Sequence, residues 1–294
     1  MSDNRVLLIL TADHRGSLEH GLYGLTARPT SAQGARISAD KLLVYEALLE
    51  ATAWLPARVQ PAMLIDEEYG ASVAELASRS AGAPLLCMPL EASGQEWFRF
   101  AYGDDWQQHA EIFAASYPKV LVRDAPGLDP ARREQQAGLL GQVSAWAVKT
   151  GRSLIVELQV PATGAGTLPV MEYLQDHGVE PAFWTIEGLS QHDDAVAVAA
   201  IAQRGGRQAR CLTGGRHAPY DELKHWLQVA APIPGWAGFV IGHSIWWDPL
   251  RVHLRHLSTA GEARRRIRAA YLDYARYYLK AREGTLPAEP DPVL

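Results

Sequence analysis

Short apolar runs alternate with longer amphipathic stretches along the whole chain. Eight apolar runs predict buried strands at residues 6–11, 62–66, 84–89, 119–123, 153–159, 182–187, 209–213 and 239–242. Helical spacing of apolar positions predicts helices at residues 38–53, 72–80, 106–115, 130–149, 168–176, 193–203, 220–230, 249–256 and 261–282. With no Ser- or Pro-rich linker, residues 1–294 are expected to form one domain: a barrel over 5–258, a C-terminal helix over 259–283 and a loosely ordered tail over 284–294.

Eight strands that are each followed by a helix predict an α/β fold, the TIM (β/α)₈ barrel, with one extra C-terminal helix. A doubly wound open sheet is the main rival, but it normally uses fewer strands, and no GxGxxG follows the first strand. In a barrel of this kind, chemistry takes place at the C-terminal ends of the strands. The candidate residues are therefore those at the strand ends.

Composition and charge narrow the class of protein. The chain has 48% hydrophobic and 21% charged residues, which excludes collagen-like, disordered and coiled-coil classes. A net charge of -5 gives no basic field, so neither nucleic acid nor a membrane surface is an expected partner. Cys87 and Cys211 lie in apolar runs without metal-binding spacing, which favours reduced core thiols and a cytoplasmic setting. The first apolar run is too short for a signal peptide or a membrane span.

Charged residues follow the first two strands. ADHRGS places Asp13 beside Arg15, which suits either the binding of a substrate hydroxyl and proton transfer or a salt-bridged turn. The second strand ends in DEEYG, whose three acids are typical of a solvated loop, although one of them can face a pocket.

The fourth and fifth strands carry charge on one face. Because side chains alternate along a strand, Lys119 and Arg123 share a face in KVLVRD. Glu157 lies within the apolar run SLIVELQ, where a carboxylate is costly unless paired, and Lys119 on the neighbouring strand is the natural partner. The pair is either a proton-transfer pair or a buried ion pair.

The remaining strand ends suggest a pocket wall and an anion site. Glu91 begins a long aromatic loop after the third strand, suited to walling a pocket or packing on the rim. Gly215 and Arg216 follow the seventh strand, and Gly242 and His243 follow the eighth. Glycines after these two strands are the usual phosphate site of such barrels, although a turn of this kind also simply joins a strand to a helix.

Several segments together resemble a known family. They are DHRGS, DEEYG, SGQEWFRFAYGDDW, KVLVR, VELQVPAT, GVEPAFWTIEGL, GGR and GFVIGHSIWWDPL, in order from residue 7 to about 278. They resemble the aldolase-like domain often fused behind 5-dehydro-2-deoxygluconokinase, which is similar to tagatose-bisphosphate and sulfofructose-phosphate aldolases, class I enzymes on (β/α)₈ barrels. The resemblance implies a carbon–carbon lyase without a cofactor or metal. In it, a sixth-strand lysine forms a Schiff base with the keto group of the substrate.

The chain departs from the family pattern at three strand ends. The sixth strand of the family reads WKIEGL and here reads WTIEGL, so Thr185 replaces the Schiff-base lysine. Ala92 in EASGQ replaces a second lysine, and His243 replaces an arginine. The pattern is kept at Asp13, Arg15, Glu91, Lys119, Arg123, Glu157, Glu187 and Arg216.

Two hypotheses follow from this mixture. The first is an aldolase-family lyase, or diverged carbonyl chemistry, on a small phosphorylated or otherwise anionic keto-sugar. Its catalytic positions are Asp13, Lys119, Glu157 and Thr185, and its substrate-binding positions are Arg15, Glu91, Arg123, Glu187, Gly215, Arg216, Gly242 and His243. The second is an altered homologue that binds a small anionic sugar or acid without imine chemistry.

Two further possibilities concern the reaction itself. Lys119 can replace the missing lysine only if it is neutral, which conflicts with an ion pair to Glu157. A metal site would use the acids of DEEYG with Asp13 or His243, but no spacing asks for a metal. The tyrosine side of the predicted C-terminal helix, with Ile267 and Tyr271, is expected to pack on the barrel or to form a homo-oligomer contact.

Overall fold

Eight parallel strands close into a barrel in the computed structural model of the chain, which describes residues 5–113, 115–161, 166–215 and 218–286. Each strand pairs with the next along the chain, and the eighth pairs with the first, so the predicted barrel is confirmed and the open-sheet rival is wrong. The strands are β1 (Val6–Thr11), β2 (Val59–Leu64), β3 (Leu85–Pro89), β4 (Tyr117–Arg123), β5 (Ile155–Gln159), β6 (Phe183–Ile186), β7 (Arg210–Gly214) and β8 (Trp236–Ile241).

Helices follow the strands on the outside of the barrel, together with short 3₁₀ turns at Gly103–Asp105 and Arg204–Gly206. The helices are α1 (Gly16–Gly21), α2 (Ser31–Thr52), α3 (Glu67–Arg79), α4 (Trp106–Ile112), α5 (Pro130–Lys149), α6 (Thr167–Asp176), α7 (His192–Ala202), α8 (Tyr220–Ala230), α9 (His243–Leu254) and α10 (Ala260–Arg282). Helices α5 and α8 have the predicted bounds, whereas α1 was not predicted.

Side-chain caps move two helix starts earlier than predicted. α2 begins at Ser31 rather than residue 38, because Thr30 and Gln33 form a reciprocal capping box. α3 begins at Glu67 rather than residue 72, because Asp66 Oδ1 accepts a 2.9 Å hydrogen bond from the Tyr69 N–H. The DEEYG segment therefore opens a helix, and its interpretation as a solvated loop is wrong.

The last barrel helix also starts earlier than expected. α9 begins at His243, directly after β8, and Pro249 lies inside it, whereas the sequence predicted a helix start at the proline. A proline is favoured at a helix start and disfavoured inside a helix, which explains the error. The early start matters because it points the N-terminus of α9 at the barrel mouth.

The barrel interior is apolar at its base and charged at its mouth. Its apolar part consists of side chains from alternate strand positions, among them Leu7, Ile9, Ala62, Leu64, Cys87, Ile155, Phe183, Leu212, Ala237 and Val240. A second, larger apolar cluster fills the space between the strands and the surrounding helices. Such a filled base is a packed core, so a ligand can enter only at the mouth.

Helix α10 packs over α2, α8 and α9 beside the barrel. Its side with Ile267 and Tyr271 is buried, as predicted, and the Tyr271 hydroxyl donates a 3.1 Å hydrogen bond to the Leu8 carbonyl. Arg282 Nη1 donates to the Trp236 carbonyl at 2.7 Å. These contacts tie α10 to strands β1 and β8.

Candidate active site

A cavity of about 430 Å³ opens at the C-terminal ends of the strands, where barrel chemistry is expected. It is lined mainly by polar and charged side chains from the loops after β1, β3 and β8 and from the ends of β4 and β5. The predicted site residues in its wall are Asp13, Arg15, Glu91, Lys119, Arg123, Glu157, Glu187, Gly215, Gly242 and His243.

Lys119 is surrounded by carboxylates. As the alternation along β4 predicted, Lys119 points into the barrel. Its Nζ lies 2.6 Å from Glu157 Oε2, 2.8 Å from Glu91 Oε1 and 3.5 Å from Asp13 Oδ2. The pair with Glu157 was expected from sequence, whereas the contacts with Glu91 and Asp13 were not. One ammonium group is therefore shared by three acids from three different strand ends.

This arrangement determines the charge of Lys119. Burial by itself would lower the pKa of the amine, but Glu157, Glu91 and Asp13 together hold it well above the ordinary value of 10.5. The side chain is only 4% exposed, so solvent screens these attractions weakly. An amine attacks a carbonyl only when neutral, so Lys119 is unsuited to imine formation in this environment.

The acids around Lys119 differ from one another. Burial raises the pKa of Glu91 above its ordinary value, against the opposing attraction of Lys119. Burial also opposes ionisation of Asp13, but Lys119, His14 and Arg15 outweigh it and lower the pKa of that carboxyl. The same cluster therefore makes ionisation easier at Asp13 and harder at Glu91 than in water.

Two arginines that line the cavity donate hydrogen bonds to the backbone of the loop after β3. Arg15 Nη2 donates to the Glu91 carbonyl at 2.7 Å, and Arg123 Nη1 donates to the Gln95 carbonyl at 2.5 Å. Each guanidinium keeps further N–H donors, which suits recognition of an anionic group. Both residues thus fix the loop and face the space where a ligand would lie.

Glycines and the start of α9 form another part of the cavity wall, after β7 and β8. A Cβ on Gly242 would collide with the backbone and hydroxyl oxygens of Thr11, so only glycine fits between β1 and α9. The first backbone N–H groups of a helix have no intrahelical acceptor, and they favour an anion. His243 and Ser244 begin this helix and line the cavity beside Gly215. The predicted Arg216 lies outside the described residues.

Thr185 lies on β6, where the sequence resemblance predicts a Schiff-base lysine. It is 1% exposed, does not line the cavity, and its hydroxyl has no hydrogen-bond partner among the described residues. A Cβ on Gly214 would lie 2.8 Å from Glu187 Cγ and 3.1 Å from Thr185 Cγ2, so the glycine makes room for both side chains. Glu187 itself is buried and reaches the cavity.

The five lysines of the chain all lie in the part that the structure describes, and Lys119 is the one that lines the cavity. Lys149 and Lys280 are exposed on α5 and α10, and Lys224 on α8 pairs with Asp273 at 3.3 Å. No second lysine therefore lines the cavity, where it could form an imine with a ligand.

Lys41 is a residue that the sequence analysis missed. It is 2% exposed within α2, forms an ion pair with Asp66, and donates to the His14 carbonyl at 2.9 Å. Burial lowers the pKa of Lys41, although Asp66 opposes this. Lys41 shares a helical face with apolar Ile37 and Val44, and a lysine in such a pattern was the available signal.

The acids of DEEYG, which a metal site was expected to use, have other partners in the structure. Asp66 pairs with Lys41, and Glu67 Oε2 lies 2.7 Å from His109 Nδ1, away from Asp13. Within the described ranges, no three His, Cys, Asp or Glu side chains are grouped so that they could hold a metal ion.

The family of the chain follows from its sequence. The family described as "Uncharacterized protein conserved in bacteria (DUF2090)" matches residues 2–282. The chain belongs to this family. No curated protein matches it.

Solved structures similar to this DUF2090 member are fructose-bisphosphate aldolases. An archaeal fructose 1,6-bisphosphate aldolase has a TM-score of 0.57 at 14% identity, covering 95% of both chains. The aldolase of Plasmodium falciparum, solved with TRAP and a small-molecule inhibitor, has a TM-score of 0.67 at 12% identity, covering 98% of this chain and 94% of that one. A Schiff-base-forming fructose-1,6-bisphosphate aldolase has a TM-score of 0.54 at 16% identity, covering 93% and 94%. At these identities the likeness shows the aldolase-like barrel fold alone.

Among the described residues, no helix is long and apolar enough to cross a membrane. The relation to kinase-fused aldolase domains, the cytoplasmic setting and the homo-oligomer stay predictions.

Proposed function

We propose that this DUF2090 member binds a small anionic keto-sugar, phosphorylated or carboxylated, and acts on the carbon next to its carbonyl group without forming an imine. Proton transfer at this carbon is the minimal reaction, and carbon–carbon cleavage passes through the same enolate. The observation that carries the proposal is the Nζ of Lys119 at the mouth cavity, 2.6 Å from Glu157 Oε2 and close to two further carboxyls.

The roles follow from charge and exposure. The side chain of Glu157 is 19% exposed and lines the cavity, so its carboxylate is placed to take a proton from carbon. The charged Lys119 beside it stabilises the negative charge that develops on the carbonyl oxygen. The electrons of the broken C–H bond form the enolate, and the proton stays on Glu157 until it is returned.

Arg15, Arg123 and the N-terminus of α9 support the choice of an anionic substrate. The two arginines contact the loop after β3, whereas Gly215, Gly242 and His243 follow β7 and β8, and all five residues line the cavity. An anionic group bound at these glycines would leave the remainder of a small sugar facing Lys119. Arg216, next to Gly215 in the chain, fits this role by sequence.

Hydrogen exchange tests this function. Dihydroxyacetone phosphate, the smallest phosphorylated ketose, and a panel of keto-sugar phosphates and keto acids are incubated with the full chain in D₂O, and carbon-bound deuterium is followed by NMR. We expect exchange that falls at least about a hundredfold in Glu157→Gln. Glu180→Gln, at an exposed glutamate before β6, is the matched control. Exchange that Glu157→Gln leaves unchanged would contradict the proposal.

The alternative is a barrel that binds such an anion and performs no reaction. The buried, unpartnered Thr185 hydroxyl at the former nucleophile position favours it. Calorimetric binding of a panel member without deuterium uptake from any of them would select this alternative.

A further inference from the structure

Glu91 combines deep burial with an unused oxygen atom. Its side chain is 5% exposed, and Oε1 accepts a 2.8 Å hydrogen bond from Lys119. Oε2 is buried and has no hydrogen-bond partner in the described part of the chain, although the residue lines the cavity. A buried polar atom without a partner is costly, so such an atom in a cavity wall points to a ligand.

The backbone holds Glu91 in this position. The Arg99 carbonyl accepts a 2.9 Å hydrogen bond from the Ala92 N–H, and a β-bridge joins Glu91 to Phe100. Arg15 donates to the Glu91 carbonyl at 2.7 Å from the loop after β1. The free oxygen therefore belongs to a braced residue rather than to an exposed loop tip.

Charge balance around Lys119 indicates where a proton is held. One ammonium group faces three carboxyls, so the cluster is too negative if all three are ionised. Asp13 is also attracted by His14 and Arg15, whereas Lys119 is the cation that acts on Glu91. Glu157 is more solvated, with 19% of its side chain exposed against 5% for Glu91. The pKa of Glu91 is raised by burial, in agreement with this ranking.

We infer that Glu91 is a catalytic residue that holds a proton at neutral pH and donates it through Oε2 to the carbonyl oxygen of the substrate. This inference rests on the proposed function. Glu157 on β5 and Glu91 in the loop after β3 both contact Lys119 on β4, which lies between these strands, and both line the cavity that a ligand would enter. Neither sequence nor fold comparison assigns Glu91 a proton-donating role.

The proton inventory of the step balances. Glu157 accepts the proton of the carbon next to the carbonyl, and the electrons of that C–H bond form a C=C bond. The carbonyl π electrons bind the proton of Glu91, which gives a neutral enediol. Glu157 ends protonated and Glu91 ionised, next to the Lys119 ammonium that stabilises the new carboxylate. Return of both protons regenerates the enzyme.

Infrared difference spectroscopy of the full chain tests the proton without any substrate. At pH 7 we expect the C=O stretch of a protonated carboxylic acid in the wild type, and we expect Glu91→Gln to remove it. Glu75→Gln, at an exposed glutamate on α3, should leave the band unchanged. The wild-type band should also disappear on titration to high pH, which keeps the test valid if the variant folds poorly. A band that persists in a folded Glu91→Gln variant, or no band in the wild type, overturns the inference.

Deuterium exchange then tests donation. With dihydroxyacetone phosphate or another panel ketose that the wild type exchanges, Glu91→Gln should lower the rate at least about a hundredfold while calorimetric affinity changes less than about threefold. Glu91→Asp, which keeps a carboxyl, should restore part of the rate. Equal losses of rate and affinity would instead indicate a binding role and overturn donation.

Failure of the inference about Glu91 can be distinguished from failure of the proposed function. A wild type that exchanges normally but lacks the infrared band overturns the inference and leaves the proposed function standing. A wild type with the band but without exchange on any compound removes the proposed function, and donation by Glu91 with it.

Discussion

The two sides of the barrel mouth contrast sharply. On the side of β3, β4 and β5, the Lys119 ammonium group contacts three carboxyl groups. On the side of β6 and β7, Thr185 carries a buried hydroxyl without a partner among the described residues, and Gly214 keeps the space beside it free. One side carries a charged cluster, and the other carries a buried threonine where the sequence resemblance predicts a nucleophilic lysine. This contrast is the physical basis for an imine-free site on an aldolase-like barrel.

Removal of the charge at Lys119 should have the largest effect on this contrast. Lys119→Met leaves the buried Glu91 and the half-buried Glu157 without their cation, which should lower the free energy of unfolding by about 3–5 kcal/mol. Denaturant titration measures the loss. Lys149→Met, at an exposed lysine that ends α5, should change stability by less than about 0.5 kcal/mol. Equal effects of the two substitutions would mean that contact between Lys119 and the three carboxyls does not contribute to the free energy of unfolding.

A methyl group at Gly214 tests how tightly the other side is packed. Gly214→Ala places a Cβ 2.8 Å from Glu187 Cγ, so overpacking should cost about 1–3 kcal/mol. Gly138→Ala lies in open space within α5 and should stabilise the protein by about 0.5–1 kcal/mol. Urea midpoints show whether each substitution raises or lowers the free energy of unfolding. Stabilisation by Gly214→Ala would mean that the β6–β7 side is loosely packed.

Replacement of the Thr185 hydroxyl should stabilise the protein slightly. Thr185→Val keeps the shape of the side chain and removes an unpartnered buried polar atom, so we expect a gain of up to about 1 kcal/mol. The control is Thr150→Val, where the hydroxyl donates to the Trp146 carbonyl at 2.8 Å and its removal should cost about 1 kcal/mol. Thermal unfolding of both variants gives the comparison. A loss of stability in Thr185→Val would reveal a partner for its hydroxyl.

The last expected effect is a pH dependence of stability. The folded-state pKa of Glu91 lies above its ordinary value of 4.5, so its contribution to stability is fully present below that value and is lost as pH rises through the folded pKa. Glu91→Gln removes this titration, whereas Asp13 titrates in both proteins. The free energy of unfolding of the wild type relative to Glu91→Gln should therefore fall as pH rises above 4.5. A difference that is constant with pH would argue against a raised pKa.

The sequence predicts the fold well because the alternation of strands and helices repeats eight times. Alternation along β4 predicted that Lys119 and Arg123 share a face, which lines the cavity in the structure, and the cost of a buried carboxylate predicted the partner of Glu157. The third carboxyl in the cluster, Glu91, was not predicted as a partner of Lys119, because contacts between loops after different strands depend on the closed barrel.

Other features needed three-dimensional information or a pattern that was overlooked. Lys41 contacts Asp66 and the His14 carbonyl, which lie far from it in the sequence. No local sequence pattern predicts these two partners. The Thr30–Gln33 capping box was readable in the sequence and was missed. The start of α9 was hidden because Pro249 resembles a helix start.

Reductive trapping tests the central claim most directly. The full chain is treated with borohydride in the presence of dihydroxyacetone phosphate, and intact mass is measured for the wild type, Lys119→Met and Thr185→Lys. We expect no adduct on the wild type or on Lys119→Met. We expect one adduct on Thr185→Lys, because position 185 is buried and burial lowers the pKa of an introduced amine. A wild-type adduct that Lys119→Met abolishes would contradict the account, because it would show that Lys119 forms the imine despite its three carboxyl partners.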